Sequence, residues 1–280
     1  MVETYIGLEA LYWTDGAGTD HLLGQNSDQK QWYTEWSGFD LPPIDYQGQP
    51  IPQYHGEMYR GHRYQPRVIN VGILLRPGTS LYQLWDGRKT LLDWLNPESG
   101  IGKLKLVRPT QASTATRVIE GYVLGPLGMD STARRSAGKN GQFAILQVWC
   151  PYPLWYDSTL KSGNANLNGA TPVTLALTNS GQIETFPDIK IEPAANTPQI
   201  QVAATPAHYL LVEHNIASGY VTVYGGRGNK RALTDSGDEV RISAESQFFS
   251  LPKGASTLTL SCTSGTGKVT VSWYEYYLGV

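Results

Sequence analysis

From Arg67 onward, hydrophobic positions mostly alternate with polar ones over short runs, the period-two signature of half-buried β-strands. The run "RVINVGILLR" reads as a buried strand, and "KLKLVR", "TRVIEGYVL" and "QFAILQVWC" follow as further strands, the last two separated by the polar, turn-rich "GPLGMDSTARRSAGKNG". After Asp157 the runs shorten and Gly, Asn and Pro turns divide them. Val173, Leu175 and Leu177 share one parity, as do Ile189 and Ile191, Val221 and Val223, and Val269, Val271 and Trp273. Many short strands at this spacing predict a β-sandwich with its polar faces outward.

One stretch breaks the rhythm. In "TSLYQLWDGRKTLLDWLNPESG", Leu81, Leu84, Trp85, Leu91, Leu92 and Leu95 recur at helical spacing, which predicts one helix over about 81–95. Ser80 and Gln83 fit a reciprocal capping box at its start, and Asn96 and Pro97 stop it. Leucine and tryptophan on such a stripe serve as core, so the helix is expected to cover a sheet face.

The chain before Arg67 follows neither period. From Ala10 to Pro66 it is crowded with Pro, Gly and aromatics, and the segment about 25–66 reads as a stiffened aromatic arm. An irregular segment this long inside a compact domain is uncommon unless it binds a partner or covers a neighbouring subunit.

The chain has 280 residues, more than one small core needs, and the change of texture divides it into 1–156 and 157–280. The fold class is therefore mainly β: an N-terminal β-domain with one packed α-helix, then a C-terminal β-sandwich. With 22 basic and 24 acidic residues the formal net charge is −2, and no basic stripe offers the counterion release that drives nucleic-acid binding. Sequence-specific nucleic acid is not an expected partner. The opening "MVETYIGLEALYW" lacks the basic flank of a signal peptide, and no apolar run reaches the roughly 20 residues of a membrane helix, so membrane insertion is not expected and the product is expected to stay in the cytoplasm after synthesis.

Candidate chemistry is sparse. Cys150 shares strand parity with Leu146 and Val148, and Cys262 with Leu258 and Leu260, so both read as buried small hydrophobes rather than a catalytic thiol or a zinc corner. "SGTGKVT" fails as a phosphate loop, because Val269 stands where Ser or Thr would hold the metal and a strand follows. "GGRGNKR" lacks the third glycine of a dinucleotide fingerprint and reads as a hairpin turn. His208 and His214 flank "YLLVE" on one predicted strand, about 20 Å apart at roughly 3.3 Å per residue, too far to share a metal. His55 and His62 lie in the arm without a paired acid at ligand spacing. Asp235, Asp238 and Glu239 in "TDSGDEV" supply the residue type for glycoside hydrolysis, but Asp-Ser-Gly-Asp is ordinary turn composition. The expectation is a protein with no catalytic residues, no cofactor and no metal.

The densest stretch is "WCPYPLWYD", where "QFAILQV" ends. Pro151 and Pro153 fix φ near −65° and exclude pairing at their own positions, so a stiff joint between the two domains is expected, with Trp149, Trp155 and Tyr156 packed around it. The rival for these aromatics is a ligand pocket.

Taken in order, "GFDLPP", "HGEMYRGHRYQPRVINVGI", the Leu/Trp helix closed by "LNPESGIGKLKL", "RVIEGYV" and "LQVWCPYPLWYD" resemble the phage tail-component family that includes the distal tail proteins (Dit) of long-tailed bacteriophages. The similarity is strongest from Gly38 to Asp157, and "FPDIKI" and "VTVSWYEYY" extend it into the second half. The resemblance implies a structural protein without enzymatic activity. It implies an N-terminal domain that assembles into a homohexameric ring at the virion's tail tip, and a projecting galectin-like sandwich. The implied partners are the tail tube protein, a tail-tip or tail-associated protein, and receptor-binding or fibre proteins.

A ring requires each subunit to present two different complementary surfaces. Trp32, Trp36, Phe39, Tyr46, Tyr54, Tyr59 and Arg60 of the arm are of the types enriched at interface hot spots, and are the expected contacts with a neighbouring subunit or partner. The alternative function is a carbohydrate-binding module contacting host-surface glycan, with Tyr220, Tyr224, Tyr276 and Tyr277 stacking on sugar rings. A cell-wall glycan hydrolase is a third class, for which no carboxylate spacing argues.

Overall fold

The computed structural model describes residues 9–25, 31–51, 55–75, 81–109, 114–125, 142–204, 208–226 and 228–280, and for 25, 31–36, 74–75, 81–85 and 142–143 the backbone alone. The chain divides into two compact units, 1–157 together with 278–280, and 158–277. Ser80 of the expected capping box and most of the polar linker before Gln142 lie outside the described residues.

Among the described residues the first unit carries ten strands and one α-helix. The strands are β1 (Ala10–Thr14), β2 (Asp20–Gln25), β3 (Gln31–Ser37), β4 (Ile44–Pro50), β5 (Glu57–Tyr64), β6 (Arg67–Leu75), β7 (Gly102–Pro109), β8 (Thr114–Leu124), β9 (Gln142–Cys150) and β10 (Trp155–Asp157); α1 (Leu81–Trp94) lies between β6 and β7. The antiparallel order is β2-β1-β7-β8-β9-β6-β3, and β2 and β3 come back beside each other, so the sheet rolls up around its core. Strand β10 adds to β8, pairing Tyr156 with Val118. Alternation accounts for the inside: Ile69, Val71 and Ile73 of β6, Leu104 and Leu106 of β7, and Ala144, Leu146, Val148 and Cys150 of β9 are all buried.

Strand β8 is the corner, since its first part pairs with β7 and its end, Tyr122–Leu124, pairs with β9. Gly121 sits at the change of partner, where a Cβ would stand 2.5 Å from Val148 Cγ1 and 2.8 Å from the Trp149 carbonyl oxygen. Only glycine permits so close an approach.

Helix α1 buries Leu91 and its neighbour along the stripe, Leu95, and Trp94 stacks on His21 at 4.6 Å between ring centroids. Leu92 was expected on the same face but points outward, because a position next to Leu91 turns about 100° around the helix. Pro97 ends the helix by disfavouring the helical conformation at Asn96, whose side chain instead accepts a 3.0 Å hydrogen bond from the Glu98 amide.

The expected structureless arm is corrected. Residues 10–66 contain five of the strands, and the aromatic segment holds β3 and the hairpin β4–β5. Among the described residues the hairpin pairs only with itself and leaves both faces largely exposed, so no buried parity marks it in the sequence.

The second unit carries β11 (Lys161–Asn166), β12 (Val173–Asn179), β13 (Asp188–Ile191), β14 (Ala195–Asn196), β15 (Gln199–Val202), β16 (Tyr209–Leu211), β17 (Asn215–Ile216), β18 (Val221–Tyr224), β19 (Arg231–Thr234), β20 (Gly254–Ser261), β21 (Ser264–Gly265), β22 (Lys268–Trp273) and β23 (Tyr276–Tyr277). A five-stranded sheet, β11-β22-β13-β18-β19, faces a four-stranded sheet, β12-β20-β15-β16, with a small sheet, β17-β14-β21, beside them. Leu175, Leu177, Leu258 and Leu260 from one main sheet meet Ile189, Ile191, Val221, Val223, Val269 and Val271 from the other in one core. The mainly β class with one α-helix and a sandwich is borne out among the described residues.

One buried polar side chain ties the sandwich at its end. Asn179 donates from Nδ2 to the carbonyls of Ile183 at 2.9 Å and Leu251 at 3.1 Å, while its Oδ1 accepts from the Gly181 amide at 3.0 Å. Removing a satisfied buried amide strands its partners, so Asn179→Ala is expected to cost about 2–3 kcal/mol of stability, measured by urea unfolding followed by fluorescence. An unchanged midpoint would show that these three bonds contribute nothing net.

Candidate functional site

The segment that opens with Gly38 leads into the hairpin β4–β5, and the first unit fixes its base with unusual care. Gly38 has φ +85°, and a Cβ there would lie 2.4 Å from the Val68 carbonyl oxygen, so both conformation and space demand glycine. Arg67, the first residue of β6, is 2% exposed and reaches inward beneath this segment. Its Nη1 donates to the carbonyls of Gly38 at 3.0 Å and Asp40 at 2.7 Å, and its Nη2 to those of Pro153 and of Leu278, the latter at 2.7 Å. Thus one guanidinium gathers 38–40, the turn after β9 and residue 278. Burial pushes Arg67 down to about 10, opposed by the nearby Cys150 and Asp40, so it stays charged at neutral pH. The Phe39 carbonyl completes the base by accepting from the Val280 amide at 3.2 Å.

Beyond that base the hairpin stands open. Between Gln47 and Gly48 the register jumps from Gly61 to Tyr59, making Arg60 the extra residue of a β-bulge. The bulge resets the side-chain alternation, so Tyr59 joins Tyr46, His62 and Tyr64 in one cluster of rings. Tyr46 lies 6.4 Å from both Tyr59 and His62, His62 lies 5.3 Å from Tyr64, and the Tyr59 hydroxyl meets His62 Nδ1 at 2.5 Å. Tyr46 is 68% and Tyr59 61% exposed. The charged groups are tied up along the flanks: Arg60 bonds Gln49 through Nε at 2.8 Å, and Arg63 pairs with Asp45 at 3.0 Å. Large exposed aromatics held in place on a hairpin are of the residue types enriched at protein-interface hot spots.

Of the residues expected on that surface, Tyr46, Tyr59 and Arg60 stand together on the hairpin. Trp32 and Trp36 lie on β3, with their side chains outside the description, and Tyr54 lies outside the described residues. Phe39 is a correction: it is 5% exposed and stacks on Trp155 at 5.5 Å, because the positive φ of Gly38 turns the chain inward. His62 and Tyr64 were missed as partners of Tyr46, since the bulge that unites them leaves no mark in residue spacing.

The expected joint also takes a different form. Pro151 is exposed, Pro153 and Trp155 are buried, and the chain then re-enters the first unit's sheet as β10. Prolines exclude pairing at their own positions only, so a strand resumes two residues after Pro153. Tyr156 donates to Glu120 at 3.4 Å, and Asp157 pairs with Arg117 at 2.8 Å, both bonds within this unit. Trp149 is half-buried on β9 and stacks on Tyr122 at 6.2 Å between ring centroids.

Elsewhere the candidate chemistry resolves into structure. Cys150 and Cys262 are buried and unbridged, and burial raises both thiols, Cys150 to about 12. Neither is expected to react with maleimide in the native protein and both should react after unfolding, a difference that intact-mass spectrometry reads directly. Labelling of native Cys150 would contradict its burial. "GGRGNKR" joins β18 to β19 in an antiparallel hairpin. Asp238 belongs to a tight turn, with its amide donating to Thr234 Oγ1 at 3.0 Å and its carboxylate accepting from Ser236 at 2.7 Å. His208 and His214 do not share a strand as expected, since both fall outside the three-residue β16. Among the described residues no cluster of three metal-ligating side chains occurs, and no helix is long and apolar enough to cross a membrane. Tyr220 lies under the Lys190 ammonium at 4.3 Å and Tyr224 near the Arg231 guanidinium at 5.9 Å from its ring centroid.

The chain thus joins a mainly β first unit that displays a hairpin to a second unit built as a β-sandwich. Residues 180–277 match the family model of the siphovirus-type tail component, C-terminal domain. The Dit protein (gp 19.1) of phage SPP1 has a similar structure, with a TM-score of 0.66 at 16% identity over 96% of this chain and 99% of that one. A chain of the phage p2 baseplate in its activated conformation with strontium is similar at a TM-score of 0.50 and 9% identity, over 94% and 98% of the respective chains. No curated protein matches the sequence. The second unit thus matches a siphovirus-type tail-component domain over residues 180–277, and the chain as a whole has the fold of the SPP1 Dit protein, which bears out the resemblance read from the sequence.

Proposed function

We propose that this protein is a structural hub subunit at the distal end of a long, non-contractile phage tail. It self-assembles through its first unit into a homohexameric ring that connects the tail tube to tail-tip and receptor-binding or fibre components. The match of residues 180–277 to the tail-component family carries the reading. The SPP1 protein is described as a paradigm of the hub adsorption apparatus in phages infecting Gram-positive bacteria, and the p2 chain is part of a baseplate, which supports the same role here. The exposed ring cluster of β4–β5 supplies the physical means, since large rigid aromatics dominate the energy of protein contacts.

The role requires no enzymatic activity, cofactor or metal. Subunits are made and assembled in the host cytoplasm and end in the virion. Gold-labelled antibodies against the second unit should decorate one end of purified tails, at the tip. Decoration along the tube, or tails that carry none of the protein, would overturn the assignment.

A further inference from the structure

Along the chain, the second unit is an insertion in the first. The backbone leaves the first unit after Asp157 and returns to it at Leu278–Val280. The β4–β5 hairpin is a smaller excursion of the same kind, leaving after 38–40 and re-entering at Arg67. The legs of both excursions meet at one side chain. Arg67 is itself the hairpin's returning leg, and its Nη1 holds the outgoing leg at the carbonyls of Gly38 and Asp40, 3.0 and 2.7 Å away. Its Nη2 holds the chain before the second unit at the Pro153 carbonyl and the chain after it at the Leu278 carbonyl, the latter at 2.7 Å.

Residues 278–280 do more than accept that bond. The Val280 amide donates to the Phe39 carbonyl at 3.2 Å. Gly279 lies so close to the outgoing leg that a Cβ there would stand 3.0 Å from the Phe39 carbonyl oxygen and 3.1 Å from the Asp40 carbonyl carbon. Backbone therefore rests on backbone, with no flexible side chain between them to give way. Three consecutive residues that follow the second unit thus run along 38–40, and the buried Phe39 ring is stacked on Trp155 from within.

The hairpin has little else to hold it. Among the described residues it pairs with no other strand, and a lone two-stranded hairpin is marginally stable in water. Its root is closed by the Gln65 amide, which donates to the Pro43 carbonyl at 2.8 Å, and by the Asp45 carboxylate, which accepts from Gln65 Nε2 and Arg63 Nε at 3.0 Å each. The order of such an element depends on how firmly its legs are fixed, because every leg residue set free adds conformational entropy to the open state.

We propose that residues 278–280 are a strap that couples the second unit's exit chain to the order of the hairpin. Seated, they hold 38–40 and the hairpin stands in place; drawn away, they release it. The coupling is reciprocal, so displacing the hairpin's outgoing leg also unseats the strap. The device belongs to a single chain and does not rest on the assembly proposed above.

Amide hydrogen exchange of the full-length protein, followed by mass spectrometry from milliseconds onward, reads the coupling. Gly279→Val places a branched side chain against backbone and should unseat the strap, speeding exchange across 44–64 by about tenfold while β7 and β9 keep the parental rates. Val280→Pro removes the amide bond to Phe39 without adding bulk at 279, and should give a smaller rise in the same peptides. That second variant carries the test if the valine variant does not fold. Parental exchange across 44–64 in every folded variant would overturn the strap. An equal rise in β7 and β9 would overturn it too, because 278–280 would then be ordinary packing of the first unit rather than a control on the hairpin.

Discussion

Arg67→Ala is expected to destabilise the first unit by about 3–5 kcal/mol, since it removes four charge-assisted hydrogen bonds from buried or half-buried carbonyls. For a unit of this size that corresponds to a fall of roughly 10 °C in its melting temperature. Arg67→Lys keeps the charge, but its single ammonium has three donors on one atom and cannot span the carbonyls of Gly38, Asp40, Pro153 and Leu278. Lysine should therefore recover only part of the loss. The consequence for assembly follows from position, because 38–40 forms the base of the hairpin, and a loosened base misplaces the ring cluster before the unit melts. Differential scanning calorimetry checks the stability, and an alanine variant that melts with the parent would contradict the clasp.

Trp155→Ala should cost about 3–5 kcal/mol as well, by a different mechanism. Trp155 is fully buried and stacks on Phe39, and its Nε1 has no hydrogen-bond partner, so its contribution is packing alone. Trp155→Phe retains the stack and gives up volume without losing a hydrogen bond; it should cost less than half as much as alanine. Chemical denaturation of the three proteins tests the ordering. If phenylalanine proved as damaging as alanine, the indole nitrogen would have a role that its surroundings do not reveal.

The strands that could be read from the sequence are those with one face in a core. In β9 every second residue from Ala144 to Cys150 is buried, and in β22 Val269, Val271 and Trp273 are, so period two is visible in the letters. The earlier strands hide for physical reasons. Strand β1 buries the adjacent residues Ala10 and Leu11 beside a register shift, which breaks the alternation. The hairpin buries almost nothing, so burial imposed no pattern on it.

The candidate site was legible in part. Aromatic character points to Tyr46 and Tyr59, but it points equally to Phe39, which is buried, because it does not distinguish a rim from a core. One signal was present and unused: Arg67 shares strand parity with Ile69, Val71 and Ile73, all buried, which places its side chain inward. A charge on the core side of a strand implies a set of carbonyls to receive it, and here that set holds the hairpin's base together.

The central claim is that this chain closes into a ring through its first unit, and the most direct test is native mass spectrometry of the purified full-length protein with negative-stain imaging of the same fraction. The account predicts a species of six chains, seen as a closed ring with peripheral knobs. A protein that stays monomeric at every concentration, or forms open chains of no fixed number, would contradict it.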